Sequence, residues 1–181
     1  MIEGVVLTTA RLEMVPLASI HLPDMLDLYA DERVTRFLVP LDEAGHLRRL
    51  REAEEMWAGR GFGRVALYER AGGSFVGRGG LQYWSQFDEV EVGWALRAGA
   101  WRRGYASEAG AAWIDWAFAH LDVPYVTACI DPGNHASLSV AQRLGMSVRR
   151  TDVLHERQVL VFAIDRPERP GPEPAPRPST R

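Results

Sequence analysis

Two carboxylates on a strictly alternating segment are the first residues able to do chemistry. The run Glu89-Val90-Glu91-Val92-Gly93-Trp94-Ala95-Leu96 reads as a strand. Its period of two puts Glu89, Glu91, Gly93 and Ala95 on one face and Val90, Val92, Trp94 and Leu96 on the other. The two carboxyl groups then stand about 7 Å apart, aimed away from the apolar face. Such a pair offers a general base and a site that attracts a cation such as a protonated amine. A solvated strand face is the competing reading. Gly93 inside the strand marks a bulge or a close backbone approach by another molecule.

Two strand-to-helix junctions follow. At Arg102-Arg103-Gly104-Tyr105-Ala106-Ser107-Glu108 a glycine precedes a small residue where a long helix begins. Converging backbone N–H groups and the positive end of the helix dipole bind phosphate there, and Arg102 and Arg103 add charge. A glycine loop that merely shortens the connection explains the same residues. Glu108, in the first helical turn, complements the dipole, which is a structural use. No Gly-Lys-Ser/Thr or full G-x-G-x-x-G occurs, which disfavours ATP and NAD. At Asp131-Pro132-Gly133-Asn134-His135-Ala136-Ser137, Asn134 and Ser137 both face the start of a helix, and Asn134 as its N-cap is the plain alternative. Cys129 lies in an apolar strand and reads as a small core residue. The five histidines show no metal spacing, so no metal is expected. Trp57, Trp84, Trp113 and Trp116 pack the core or line a cleft.

The elements that must position these residues alternate in period. Strands are expected over 12–17, 64–69, 75–83, 89–96, 125–130, 147–153 and 158–164. Helices are expected over 23–30, 43–58, 105–121 and 135–144. Asp42 caps the second helix, whose face is read as Ala44, Leu47, Leu50, Ala53, Glu54 and Trp57, and glycines 59, 61 and 63 end it. The order β-α-α-β-β-β-α-β-α-β-β predicts an α/β fold of the α+β kind with a mixed sheet. Residues 1–165 form the body, and 166–181, with six of the eleven prolines, read as an extended, disordered tail.

Composition narrows the class. The chain has 181 residues, 46% hydrophobic and 25% charged, with a net charge of -3. That is one globular domain, and the acidic balance argues against nucleic-acid binding. One cysteine excludes an intrachain disulfide framework and a cysteine-rich zinc site. No run reaches the roughly 18 apolar residues of a membrane span, and the N-terminus lacks a signal pattern, so a cytoplasmic protein is expected. All 21 basic residues are arginine, which codon bias in a GC-rich genome accounts for.

In combination, Thr9-Ala10-Arg11-Leu12, Glu91-Val92-Gly93-Trp94-Ala95-Leu96, Trp101-Arg102-Arg103-Gly104-Tyr105-Ala106-Ser107-Glu108-Ala109, Asn134-His135-Ala136-Ser137 and Arg143-Leu144-Gly145-Met146 resemble the GNAT superfamily of acetyl-CoA-dependent N-acetyltransferases. Within it they are most similar to the RimJ/RimL branch of ribosomal-protein alanine acetyltransferases. The resemblance covers about residues 9–165. It implies a sheet splayed open between the strands at 89–96 and 125–130, with acetyl-CoA in the V. Trp94, Ala95 and Leu96 would meet the pantetheine arm as an added strand would. Arg102, Arg103, Gly104, Tyr105, Ala106 and Ser107 would form the pyrophosphate loop, and Asn134 would reach toward the thioester. Trp101 stands where the family pattern has Gln or Arg.

The resemblance further implies acetyl transfer to a primary amine, either a protein N-terminal α-amine or a small molecule of aminoglycoside or polyamine type. A non-catalytic acyl-CoA-binding module is the alternative class. Glu91 is assigned as base because it lies nearest Gly93, where the strands should part, with Glu89 and Trp84 at the acceptor. A backbone N–H around Trp94 would meet the developing oxyanion, and Ser137 would donate to the leaving thiolate. The oligomeric state stays open, a homodimer being one option.

Overall fold

The computed structural model describes residues 4–168. Its strands are β1 (Leu7–Thr8), β2 (Leu12–Pro16), β3 (Arg64–Glu69), β4 (Phe75–Trp84), β5 (Glu89–Leu96), β6 (Tyr125–Ile130), β7 (Ser147–Leu154) and β8 (Arg157–Asp165). Its helices are α1 (Leu22–Tyr29), α2 (Glu32–Thr35), α3 (Glu43–Arg60), α4 (Tyr105–His120) and α5 (His135–Arg143). Local chemistry sets the boundaries. Asp42 accepts the Gly45 N–H at 2.7 Å at the head of α3, and Gly61 closes that helix in the left-handed region at φ 72°. The β3–β4 hairpin turns at Gly73, φ 65°, where the Gly73 N–H donates to the Glu69 carbonyl.

The eight strands form one sheet in the order β1-β2-β3-β4-β5-β6-β8-β7. All neighbours are antiparallel except β5 and β6. That parallel pair shares a single register position, Glu91 opposite Thr127, whereas β4 and β5 stay in register from Gly77↔Leu96 to Trp84↔Glu89. The sheet is therefore open from Gly93 onward. The mixed α/β class and the splay expected from sequence are both found.

Strand alternation sorts the core into two layers. Val65, Leu67, Leu81, Val92 and Trp113 belong to the layer under α4. Val15, Leu17, Ala66, Met25, Leu28 and Leu50 belong to the layer under α1 and α3. Trp113 is 1% exposed and its Nε1 donates to Met14 Sδ at 3.1 Å, tying α4 to β2.

Several expectations need correction. The buried face of α3 runs through Gly45, His46, Leu50 and Ala53; Ala44 is exposed and Glu54 turns outward to accept the Ser19 N–H. No bulge occurs at Gly93, whose register with Gly80 is continuous; the shifts lie at Leu67/Tyr68 and Val148/Arg150. The two-residue β1 and one-turn α2 are too short to leave a periodic signal. The expectation for the proline-rich stretch lies outside the described residues from 169 on. Arg166 itself is anchored, its guanidinium donating to the carbonyls of Val123, Phe118 and Leu121 at the end of α4.

Candidate active site

Backbone direction alternates along β5. The Arg97 N–H donates to the Val76 carbonyl, so the polar groups of Ala95 and Gly93 also point to β4, and those of Trp94 and Leu96 point to the open gap. This corrects the inclusion of Ala95 among the residues that would meet a ligand edge-on: its backbone is committed to β4 and its side chain is buried. Trp101 Nε1 donates to the Leu96 carbonyl at 2.8 Å, which leaves the Leu96 N–H and both polar groups of Trp94 facing the gap.

Glu91 sits at the apex. Its Oε1 accepts the Cys129 N–H at 2.9 Å and its Oε2 accepts Trp84 Nε1 at 2.6 Å. In a closed parallel ladder the Cys129 amide would bond to a β5 carbonyl; where the strands part, the carboxylate takes that place. A Cβ at Gly93 would meet nothing within 4 Å, so the space beside Glu91 is open. That space belongs to a cavity of about 220 Å³ that reaches Glu91, Gly93, Trp94, Asn134 and Ser137.

Glu89 has a different place from the one expected. It is 7% exposed, its Oε1 lies 2.7 Å from Arg150 Nη1, it accepts the Tyr125 hydroxyl at 3.0 Å, and it does not line the cavity. Its charge is spent holding β5, β6 and β7 together rather than recruiting an acceptor. Trp84 does line the cavity, with its ring 5.9 Å from that of His155.

Asn134 Oδ1 accepts the Ser137 N–H at 3.1 Å as the N-cap of α5, so the capping role holds and the amide nitrogen is left for the cavity. Ser137 Oγ accepts Trp94 Nε1 at 3.3 Å, which leaves its hydroxyl proton to donate elsewhere. His135 is exposed and outside the cavity. Cys129 lines the cavity, but burial, with Glu91 and Glu89 nearby, pushes its thiol far above the ordinary range. It is no nucleophile at neutral pH.

The Gly104 junction leaves the start of α4 without a side-chain cap. Gly104 caps that helix at φ 82°, and the Glu108 N–H is the one that reaches back to the Gly104 carbonyl. The amides of Tyr105, Ala106 and Ser107 are thus the unused donors of the first turn. Arg11 braces the loop, donating to the Arg103 carbonyl at 2.7 Å and pairing with Glu108 at 2.6 Å. Glu108 also accepts the Thr9 hydroxyl and the Arg11 N–H. Burial opposes its charge, but those hydrogen bonds and the Arg11 guanidinium outweigh burial and hold it below the usual carboxylate value. Arg103 pairs with Glu69 at 2.7 Å, and the buried Tyr105 also donates its hydroxyl to Glu69. Tyr105 therefore offers its amide, not its phenol. Arg102 is exposed at φ 59°, and Ser107 Oγ accepts from Arg143.

The sequence reading missed Tyr29, His46, Arg49, Arg64, Arg78 and Arg157, all of which line the cavity. Arg78 carried a signal, since it is the one charged residue in a strand of mainly apolar residues and glycines; uniform arginine usage hid it. Among the described residues no group of His, Cys, Asp or Glu is placed to hold a metal, and no helix is long and apolar enough to cross a membrane.

An uncapped helix start, an open strand edge and a carboxylate at the parting of two strands are the features of a group-transfer enzyme that grips an extended, phosphate-bearing donor. Residues 11–147 match the family model described as an acetyltransferase (GNAT) domain, so the chain belongs to the GNAT acetyltransferase family and is an acyltransferase. It is 30% identical over 148 residues to the uncharacterized protein YkkB of Bacillus subtilis (strain 168), covering 77% of this chain and 78% of that protein. It resembles the crystal structure of an acetyltransferase from Agrobacterium tumefaciens str. C58, with 29% identity, a TM-score of 0.78, and coverage of 87% and 92% of the two chains. The fold is also that of RimL, the ribosomal L7/L12 alpha-N-protein acetyltransferase, in complex with coenzyme A: 14% identity, TM-score 0.74, coverage 89% and 97%.

Proposed function

We propose that the protein transfers an acetyl group from acetyl-CoA to a primary amine, the α-amine of a protein N-terminus being the leading acceptor. The observation that carries this reading is Glu91: a carboxylate at the apex of the strand gap, beside an open Gly93 and within one cavity with Ser137 and Asn134. The RimL fold likeness supports the choice of a protein α-amine.

The residues present fit the donor. The free first-turn amides of α4 at Tyr105, Ala106 and Ser107 would hold the diphosphate, and the Trp94 carbonyl and the Leu96 N–H would hold the pantetheine arm as a strand neighbour does. Bound there, acetyl-CoA supplies the activated acetyl group. The chain's own groups do the rest. Glu91 takes a proton from the incoming ammonium, because only the neutral amine has a lone pair, and its oxygens keep acceptor capacity beyond the Cys129 and Trp84 bonds. The Trp94 N–H meets developing negative charge on the acyl oxygen. Ser137 donates its hydroxyl proton toward the leaving sulfur; a thiol of pKa about 8.5 leaves readily, so that help is modest.

The test is thiol release from acetyl-CoA against N-terminal peptides, aminoglycosides and polyamines, run beside Glu91→Gln. Release with a peptide panel that the substitution suppresses supports the reading. Binding of acetyl-CoA with no release from any amine would make the protein an acyl-CoA-binding module instead.

A further inference from the structure

Three guanidiniums gather on the acceptor side of the sheet, two of them, Arg64 and Arg78, in no ion pair among the described residues. Arg64 opens β3 and Arg78 lies in β4, on the same face as Ala66 and opposite α4. Arg49 reaches the same cavity from α3. The Arg64 guanidinium makes no hydrogen bond or ion pair among the described residues. Arg78 donates only to the Tyr29 hydroxyl, at 2.9 Å. Arg49 stands 3.9 Å from Glu52, whose side chain is 60% exposed. Of the acidic groups that line the cavity, Asp131 pairs with Arg157 at 2.8 Å, and Glu91, held by Trp84 and the Cys129 amide, reaches Arg64 through its field and not through an ion pair.

The field of this cluster is felt by its neighbours. Burial would raise the Tyr29 hydroxyl, yet Arg78, with Arg64 and Arg49 further off, brings it below its ordinary value. Burial and Arg78 together lower His46. Burial and Arg78 bring Arg64 down to about 10, which leaves it charged at neutral pH. Glu91 is the carboxylate of the cavity whose field reaches Arg64, and one such charge leaves the three guanidiniums in excess, so the arrangement calls for an anion from outside.

The register gives the distance. Arg64 pairs with Gly80 and Gly80 with Gly93, so the Arg64 backbone lies two strand spacings, about 10 Å, from the open position beside Glu91. The intervening position, Gly80, and the end point, Gly93, are both glycines, so that row sends no side chain into the path.

Resting on the amine-acetylating reading above, we propose that the acceptor carries a carboxylate near its amine, and that Arg64 and Arg78, with Arg49 at the rim, bind it while the amine faces Glu91. The carboxylate is either the α-carboxylate of an amino-acid-like molecule or an acidic side chain just behind a protein N-terminus; both present the same chemistry to the guanidinium fork.

The experiment uses the full chain, saturating acetyl-CoA and matched acceptors. Amino acids are compared with their carboxamides, peptides with Asp or Glu at the second or third residue with their Asn or Gln counterparts, and a polyamine serves as the cationic reference. The carboxylate member of one pair type should show the higher kcat/KM, and which type does so identifies the source. Arg64→Gln and Arg78→Gln should each raise KM for that acceptor about tenfold, the loss of a hydrogen bond to a charged group. The kcat, the acetyl-CoA affinity and the KM of the neutral counterpart should stay within about twofold of wild type. Preference of the wild-type enzyme for neutral or polycationic amines overturns the inference, whatever the variants do. So does an equal effect of the substitutions on both members of a pair. If no amine releases thiol, the proposed function falls, and calorimetric titration of the same pairs still decides the inference. Tighter binding of the carboxylate member, weakened by Arg64→Gln, supports it; equal binding overturns it.

Discussion

Glu89 and Glu91 share a strand and a face and have opposite fates. Arg150 reaches Glu89 from β7 and neutralises it, while Glu91 meets only uncharged donors in Trp84 Nε1 and the Cys129 amide. Period two could place both carboxylates on one side; it could not say which would find a cation from a strand some 60 residues later. On this assignment Glu91→Gln should lower kcat/KM at neutral pH by at least about tenfold, a floor set below the roughly 10²–10⁴-fold that general-base catalysis contributes. Acetyl-CoA affinity, measured by calorimetry, should be unchanged. Ser137→Ala should cost less than Glu91→Gln, because the thiolate it assists is already a fair leaving group. A larger loss for the serine variant in the same thiol-release assay would reverse the two roles.

At the scale of elements, the Gly104 loop is held from behind. Glu108 ties α4 to Thr9 and Arg11, and Arg11 in turn grips the Arg103 carbonyl. The Thr9-Ala10-Arg11-Leu12 match, distant in sequence from the Gly104 loop, is its brace. Gly104→Val places a β-branched residue at φ 82°, with its Cβ 3.2 Å from Arg11 Nη2. Acetyl-CoA binding should be lost by calorimetry while circular dichroism stays native. Glu108→Gln should cost about 1–3 kcal/mol, read as a fall in denaturation midpoint. The pH dependence has a definite sign. Because the folded carboxyl titrates below its ordinary value of 4.5, its stabilisation is complete above that pH and is lost as pH falls through the lower folded value. In Glu108→Gln that acid limb should flatten. The long helices and alternating strands were legible because each repeats its signal over two or more turns or pairs. The hairpin tip at His155 and the segment around Phe37, which line the cavity, carry no periodicity and could be placed only by tertiary packing.

For the whole molecule, one sheet does two jobs because its two halves part company. Six registered pairs hold β6 to β8 and eight hold β4 to β5, while a single pair joins the halves. The layer under α4 spans both, with Trp113 fully packed at its centre. Trp113→Ala should cost about 3–5 kcal/mol and lower the melting temperature by roughly 10 °C. That cost makes the helix, more than the strand pairing, the bridge across the split. The splay was anticipated from motif resemblance, not from alternation, since period two is identical in a zipped and an unzipped strand. The arginine cluster was illegible for another reason: with every basic residue an arginine, side-chain identity carried no contrast.

The ladder-completing bond between Glu91 and the Cys129 amide has a consequence for enzymology. A glutamine carbonyl at position 91 can still accept that N–H, so the amide variant silences proton transfer and keeps the bond between the strands, while its NH2 group takes the place of the oxygen that accepted the Trp84 indole and gives up that bond. An aspartate keeps the acid but, one methylene short, must let go of the neighbouring strand or of the indole. The isosteric change therefore keeps the spacing and removes the base, the shorter acid keeps the base and changes the spacing, and comparing the two tells how much of the rate depends on the width of the opening.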